Sequence, residues 1–273
     1  MAWLEGLPAT LTDLTRRWSL VVEPPFADTE GTCAWVAPVR LRGGTDAVLK
    51  LSLPHMEGDH EIAGLRYWDG APTVRLLDAD ESLHALLLER CVPGTPLRTL
   101  PEAEQDVVLA GVLSRCWQSP AGGHRGAFAF RPLSEMIALW AGETRAAADM
   151  WPEGALVQTG LDVLEELSKT SPEDVVLFTD LHAGNVLRAE RAPWLAIDPK
   201  PFVGDPAFDA TQHLFNCLDR MRAAPEATID SFADRLGLSR ARVRGWMFAR
   251  AAAQPRSDWA TSPWLDVARR IAP

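Results

Sequence analysis

One stretch constrains this chain more than any other. It reads Leu177-Phe178-Thr179-Asp180-Leu181-His182-Ala183-Gly184-Asn185-Val186-Leu187, and a later apolar run ends at Ile197-Asp198-Pro199. Asp180 and Asn185 share one polar turn between apolar flanks, and a second acid, Asp198, closes the next apolar run. Phosphoryl transfer from a magnesium nucleotide asks for such a set. One carboxylate orients the attacking hydroxyl, while an amide oxygen and a second carboxylate hold hard cations against the phosphates. Magnesium keeps several of its waters, so two protein oxygens plus phosphate oxygens suffice.

The spacing Asp-x4-Asn, an apolar strand, then Asp follows the order of the catalytic and metal loops of the protein-kinase fold. More narrowly, the run resembles the Brenner-type motif of the aminoglycoside phosphotransferase-like kinases, His-Gly-Asp-Leu-His-x-x-Asn-[Val/Ile]-Leu followed by [Ile/Val]-Asp. The segment Asp198-Pro199-Lys200-Pro201-Phe202-Val203-Gly204-Asp205-Pro206-Ala207-Phe208-Asp209 resembles the streptomycin 6-phosphotransferase and hydroxyurea phosphotransferase branch of that family. The match is specific over residues 177–216, looser over 30–95, and compatible elsewhere. Phe178 and Thr179 stand where His and Gly are usual, at positions that support the loop rather than perform the chemistry.

The resemblance implies an α/β (α+β) chain with a two-lobed protein-kinase-like fold. A small antiparallel-sheet N-lobe, residues 1–92 ending in a hinge, lies over a larger, mostly helical C-lobe, residues 93–273, with ATP and Mg²⁺ between them. The residue patterns agree. Leu11, Leu14 and Trp18 have helical spacing in an opening helix over 8–20. Runs 34–41 and 47–51, separated by Gly43-Gly44, read as two strands with a glycine turn. Runs 74–77 and 85–89 read as two more, separated by Asp78-Ala79-Asp80-Glu81. Helices are expected over 101–117, 132–150, 155–167 and from 205, where Pro206 suits a first turn, with two or three more over 232–272.

Site residues follow from the same likeness. Lys50, inside an apolar strand, is implied to contact the α/β-phosphates and to pair with a helix glutamate; otherwise it is an edge lysine facing solvent. Glu57 and Glu61 share one face of the next helix. Glu61 is chosen, and Glu57 is a first-turn acid favoured by the helix dipole. Gly31 and Thr32 lie in a polar turn that either covers the nucleotide phosphates or is a plain hairpin turn. Glu89 and Cys91, before the Pro93-Gly94 break, either offer hinge backbone to the adenine edge or simply end a strand.

Asp180 is the catalytic and acceptor-facing acid, and Asn185 and Asp198 are the metal ligands. His182 supports the loop by hydrogen bonding, because a zinc site would need further His or Cys at fixed spacings. Asp209 is implied to hold the catalytic loop from below. Lys200 and Asp205 face either substrate or solvent. A cationic acceptor would need acids near Asp180, and Glu143, Asp149, Asp205 and Asp258 are the candidates.

Composition narrows the classes. A net charge of −10 without a basic patch argues against nucleic-acid binding; it suits a cationic small acceptor and ordinary solubility alike. No apolar run reaches the length of a membrane span, and residues 1–18 lack the basic start and apolar core of a secretory signal. Four scattered cysteines read as reduced thiols of a cytoplasmic protein. No obligate protein partner is evident. There is no G-x-S-x-G elbow and no Walker A sequence.

The expected function is ATP- and Mg-dependent transfer of the γ-phosphoryl group to a hydroxyl of a small molecule. The acceptor implied is an aminoglycoside such as streptomycin, or hydroxyurea, conferring antibiotic resistance. One rival is a kinase of the same fold for an endogenous sugar, amino sugar or nucleoside. Another is a catalytically idle nucleotide-binding protein, against which the intact set Lys50, Glu61, Asp180, Asn185 and Asp198 speaks. Only a few residues separate Asp198 from the next helix, which leaves little room for the long activation loop of a protein-substrate kinase.

Overall fold

Period-two alternation in the first hundred residues sorts side chains to two faces of one sheet. The computed structural model describes residues 2–26, 33–56, 58–118 and 128–273. After helix α1 (Ala2–Arg17) come β1 (Leu20–Val22), β2 (Ala34–Leu41), β3 (Asp46–Ser52), β4 (Leu76–Asp80) and β5 (Ala85–Glu89). They pair in the order β1-β2-β3-β5-β4, antiparallel throughout. Val39, Ala47, Leu49, Leu51, Ala85 and Leu87 point to one face and pack with Leu14 of α1. Val48, Leu86 and Leu88 point to the other, where they meet Ile62 and Leu65 of α2 (Glu61–Trp68). Lys50 stands between Leu49 and Leu51 and opposite Leu86. Alternation therefore turns it away from α1 and towards α2.

Strand β4 takes in Asp78, Ala79 and Asp80, which the sequence pattern assigns to a connector. It lies at the sheet edge with none of its five residues buried, where acids cost little. The opening helix also begins earlier than expected and accommodates Pro8 within its first half. The helix bearing Glu61 starts at that residue, and Glu57 lies outside the described residues.

From residue 102 onward helices dominate: α3 (Glu102–Cys116), α4 (Leu133–Ala146), α5 (Gly154–Leu167), α6 (Pro206–Leu214), α7 (Leu218–Ala223), α8 (Pro225–Leu236), α9 (Arg240–Ala253) and α10 (Pro263–Ile271). Two short antiparallel pairs sit among them. One is β6 (Val175–Leu177) with β9 (Phe202–Gly204); the other is β7 (Val186–Arg188) with β8 (Trp194–Ala196). These pairs carry the motif residues on their connecting loops.

The two halves interlock through α2. Tyr67 and Trp68 at its end belong to the core of the helical half. The Trp68 indole N–H donates to the Cys116 carbonyl at 3.0 Å, and its ring lies 5.4 Å from that of Phe178. Gly64 packs against Pro201, where an added Cβ would meet the ring at 2.9 Å. A glycine at that turn lets α2 lie directly on the loop that follows Asp198.

Candidate active site

On the sheet side, the Lys50 ammonium sits 2.7 and 2.8 Å from the two carboxylate oxygens of Glu61 and 2.6 Å from Asp198. Lys50 and Glu61 are 8 % and 3 % exposed, so the pair is buried on the α2-facing side. Burial by itself would depress the lysine, but the two carboxylates outweigh it and hold Lys50 charged, above the usual lysine range. Asp198 is pushed up by burial and pulled down more strongly by Lys50 and Lys200, so it stays ionised.

The catalytic loop begins where β6 ends. Phe178 is fully buried, and its N–H and that of Thr179 donate to the Asp209 carboxylate at 2.8 and 2.7 Å. The Trp117 indole adds a third donor at 3.0 Å. Burial lifts the Asp209 carboxyl to about 6, against these donors. Thr179 has φ 57°, a left-handed conformation that costs a β-branched residue on the order of 1–2 kcal/mol. This is why glycine suits the position. Thr179 offsets the strain with its N–H on Asp209 and with its hydroxyl, which donates to the Lys200 carbonyl. The departure at Phe178-Thr179 thus leaves a buried ring and a braced turn.

His182 folds back so that its Nδ1 accepts from the Gly184 N–H at 3.0 Å. Burial lowers its pKa, which favours the neutral ring this bond requires. A Cβ on Gly184 would collide with the imidazole at 2.7 Å. Asn185 donates its amide to the Asp180 carbonyl at 3.0 Å, and its own carbonyl accepts from Ile197, one residue before Asp198. Catalytic and metal loops are therefore joined backbone to backbone. Asp198, at φ 59°, also uses the left-handed region, which aspartate tolerates better than most residues.

Asn185 and Asp198 fit Mg²⁺ by donor chemistry, since both present hard oxygen atoms. Among the described residues no three His, Cys, Asp or Glu side chains gather into a metal cage. A pair of oxygens completed by phosphate and water is how magnesium binds with a nucleotide.

Asp180 faces a cleft of about 370 Å³ lined by Trp140, Glu143, Thr179, Lys200, Gln212, Arg250 and Gln254, among others. Its Oδ2 receives the Lys200 ammonium at 2.5 Å and its Oδ1 the Gln212 amide at 2.8 Å. Lys200 thus takes the substrate-facing of its two readings. Sequence reasoning named Lys200 and Glu143 but missed Gln212, Arg250 and Trp140. Two cues were present: Gln212 lies one turn beyond Asp209 on α6, and Arg250 is a lone cation in the run Ala249–Ala253.

The structure corrects the expectation for Asp205. It is 2 % exposed and outside the cleft lining. One oxygen caps α6 through the Ala207 N–H at 2.9 Å, and the other accepts from the Arg242 guanidinium and, at 2.6 Å, the Trp246 indole. Its acceptor capacity is used inside the helical core, which leaves nothing for an acceptor molecule. Asp149 and Asp258 do not line the cleft either; Glu143 does. Glu89 spends its side chain on Arg191, at 2.7 and 2.8 Å, and on the Arg75 N–H. Its own N–H donates to the Arg75 carbonyl at 2.9 Å, so of its polar groups only the backbone carbonyl could meet a base. Burial pushes the neighbouring Cys91 thiol up to about 11. Gly31 and Thr32 lie outside the described residues.

A buried Lys–Glu pair under an antiparallel sheet, facing an Asp–Asn loop and a second Asp, defines a protein-kinase-like phosphotransferase. Comparison with known proteins agrees. A family profile described as aminoglycoside/hydroxyurea antibiotic resistance kinase matches residues 17–259. A streptomycin 6-kinase from Streptomyces glaucescens is 39 % identical, over 91 % of this chain and 82 % of its own. A hydroxyurea phosphotransferase from Kitasatospora aureofaciens is 38 % identical, over 91 % and 72 %. A choline kinase from Streptococcus pneumoniae shares the fold, with TM-score 0.65 at 12 % identity and coverage of 98 % and 99 %.

The chain belongs to the aminoglycoside/hydroxyurea antibiotic resistance kinase family. It is an enzyme that phosphorylates small molecules, and family membership implies ATP as donor. No helix among the described residues is long and apolar enough to cross a membrane.

Proposed function

We propose that this enzyme transfers the γ-phosphoryl group of ATP to a hydroxyl of a cationic aminoglycoside of the streptomycin type, and so confers resistance to it. The observation that carries this reading is the position of Asp180. It lies on the wall of a polar cleft that also holds Glu143, an exposed acid without a hydrogen-bond or ion-pair partner among the described residues. A protonated amino or guanidino group is the natural complement of that acid. Hydroxyurea is neutral and makes no use of it.

In this mechanism Lys50, held by Glu61, meets the α/β-phosphates, and the backbone of Glu89 and Cys91 meets the adenine edge. The lobe boundary falls at residues 92 and 93. Asn185 and Asp198 are the residues that would hold Mg²⁺, which when bound neutralises charge on the phosphates. Asp180 orients the acceptor hydroxyl and takes its proton as the new P–O bond forms and ADP leaves. Lys200, beside Asp180, offsets negative charge where the transferring group passes. His182 and Asp209 hold the loop. The free cysteines suit a reducing, cytoplasmic setting.

The test is a coupled ADP-release assay with Mg²⁺ over a panel of aminoglycosides, hydroxyurea, sugars and nucleosides, with Asp180→Ala alongside. Turnover on streptomycin that falls at least ~10²-fold in the variant is expected, as for loss of a general base. Turnover only on hydroxyurea or on a sugar would move the acceptor assignment. Activity of Asp180→Ala within a few-fold of wild type would remove the base.

A further inference from the structure

Arg250 is the least expected residue in the cleft wall. It is a guanidinium only 3 % exposed, with ring centroids of Phe215, Phe208 and Trp140 at 4.6, 4.8 and 5.6 Å. Burying such a cation is costly unless its donors are satisfied. Its N–H groups reach the Thr211 hydroxyl, the Gln212 amide oxygen at 2.8 Å and the Gln254 amide oxygen at 3.1 Å. The contact to Gln212 has a directional consequence. A guanidinium can only donate and a carboxylate can only accept. With the Arg250 guanidinium on one side and the Asp180 carboxylate on the other, the Gln212 amide has one workable orientation. Its oxygen faces Arg250 and its NH₂ faces Asp180 Oδ1. A flipped amide would set oxygen against carboxylate and N–H against guanidinium.

We infer that Arg250 and Gln212 are positioning residues for Asp180. The buried guanidinium fixes the direction of the Gln212 amide, and the amide pins Oδ1, so that Oδ2, beside Lys200, is the oxygen presented to the acceptor hydroxyl. The inference rests on the proposed role of Asp180. It assigns to α9, far from the motif, and to α6, at the motif's end, the task of choosing which carboxylate oxygen reacts.

The test is steady-state kinetics of Gln212→Leu and Gln212→Glu beside Asp180→Asn, using ATP and streptomycin or whichever panel acceptor the wild-type enzyme phosphorylates. Gln212→Glu keeps a partner for Arg250, and so keeps the packing, but sets a second carboxylate against Asp180. Both Gln212 variants are expected to lose about 10-fold to 100-fold in kcat, the cost of a misplaced catalytic group. The KM for ATP should stay within about two-fold in both. Tm should stay within about 2 °C in Gln212→Glu, which keeps an acceptor for Arg250, and fall by a few degrees in Gln212→Leu, which leaves that buried guanidinium one acceptor short. A kcat within two-fold of wild type in either variant, with Asp180→Asn dead, overturns the relay and spares the base. An active Asp180→Asn overturns the base and the relay with it. A crystal structure of Gln212→Leu reads the relay independently of turnover: an Asp180 carboxylate in its unchanged rotamer would also overturn it.

Discussion

The two sides of Asp180 are built differently. On the side we assign to the nucleotide, Lys50, Glu61 and Asp198 come from a strand, the next helix and the loop after β8, and both carboxylates lie within 2.8 Å of the lysine. Each sits in a short sequence pattern that announces it. On the acceptor side, Trp140, Glu143, Gln212, Arg250 and Gln254 come from α4, α6 and the end of α9, one or two residues at a time. A metal-bound triphosphate is common to kinases of this fold, so its site can be written in fixed local motifs. The acceptor differs, and helix faces supply its site residue by residue. The most informative experiments are those that affect one side and spare the other.

The largest contrast is expected from Asp198→Ala. Loss of a ligand that holds charge against the phosphates should lower kcat by at least ~10²-fold with every acceptor alike, while circular dichroism and Tm stay near wild type. A loss that depends on the acceptor would break the division between the two sides.

Asp205→Ala probes the limit of the acceptor side. It would leave Arg242 and the Trp246 indole in a buried setting without their shared acceptor, a loss of about 3 kcal/mol. Denaturant melts should show this, with the acceptor KM little changed. A raised KM at unchanged stability would return Asp205 to the substrate.

Acid should loosen the scaffold behind the acceptor side. Asp106 of α3 pairs with His213 of α6 at 2.7 Å and, through both oxygens, with Arg220. Burial raises its pKa, but the hydrogen bonds from His213 and Arg220 outweigh this and bring it to about 2, from an ordinary 3.8. A depressed carboxylate contributes stability that is fully present above its unfolded value and lost as pH falls through the folded one. The contribution, about 2 kcal/mol, should therefore disappear between pH 3.8 and pH 2, and Asp106→Asn should flatten the stability curve over that window.

The smallest effect is the most diagnostic. Glu143→Gln should raise the KM for streptomycin about 5-fold, the worth of one exposed-rim charge contact at the upper end, and leave the KM for ATP and any hydroxyurea turnover unchanged. Equal effects on the cationic and the neutral acceptor would remove Glu143 from recognition.

Much of this was legible in the chain itself. Period-two alternation around Lys50, the Gly43-Gly44 turn and the Asp-x4-Asn spacing are local patterns, and local patterns survive in one dimension. The reading failed where a side chain had two chemically reasonable environments. Asp205 beside the metal loop could have faced water, ligand or core, and only the approach of Arg242 and Trp246 from α9 placed it in the core. The acids of β4 look like a turn unless one knows that the strand lies at an edge.

The sequence by itself determined the fold class, the family and the charged set we propose for the nucleotide, because alternation and motif spacing are imposed by backbone geometry over a few residues. Only the tertiary structure decided which residues surround Asp180 on the acceptor side. Those contacts join positions 32 and 38 residues apart, and their energy comes from helix packing rather than from any local preference of the chain.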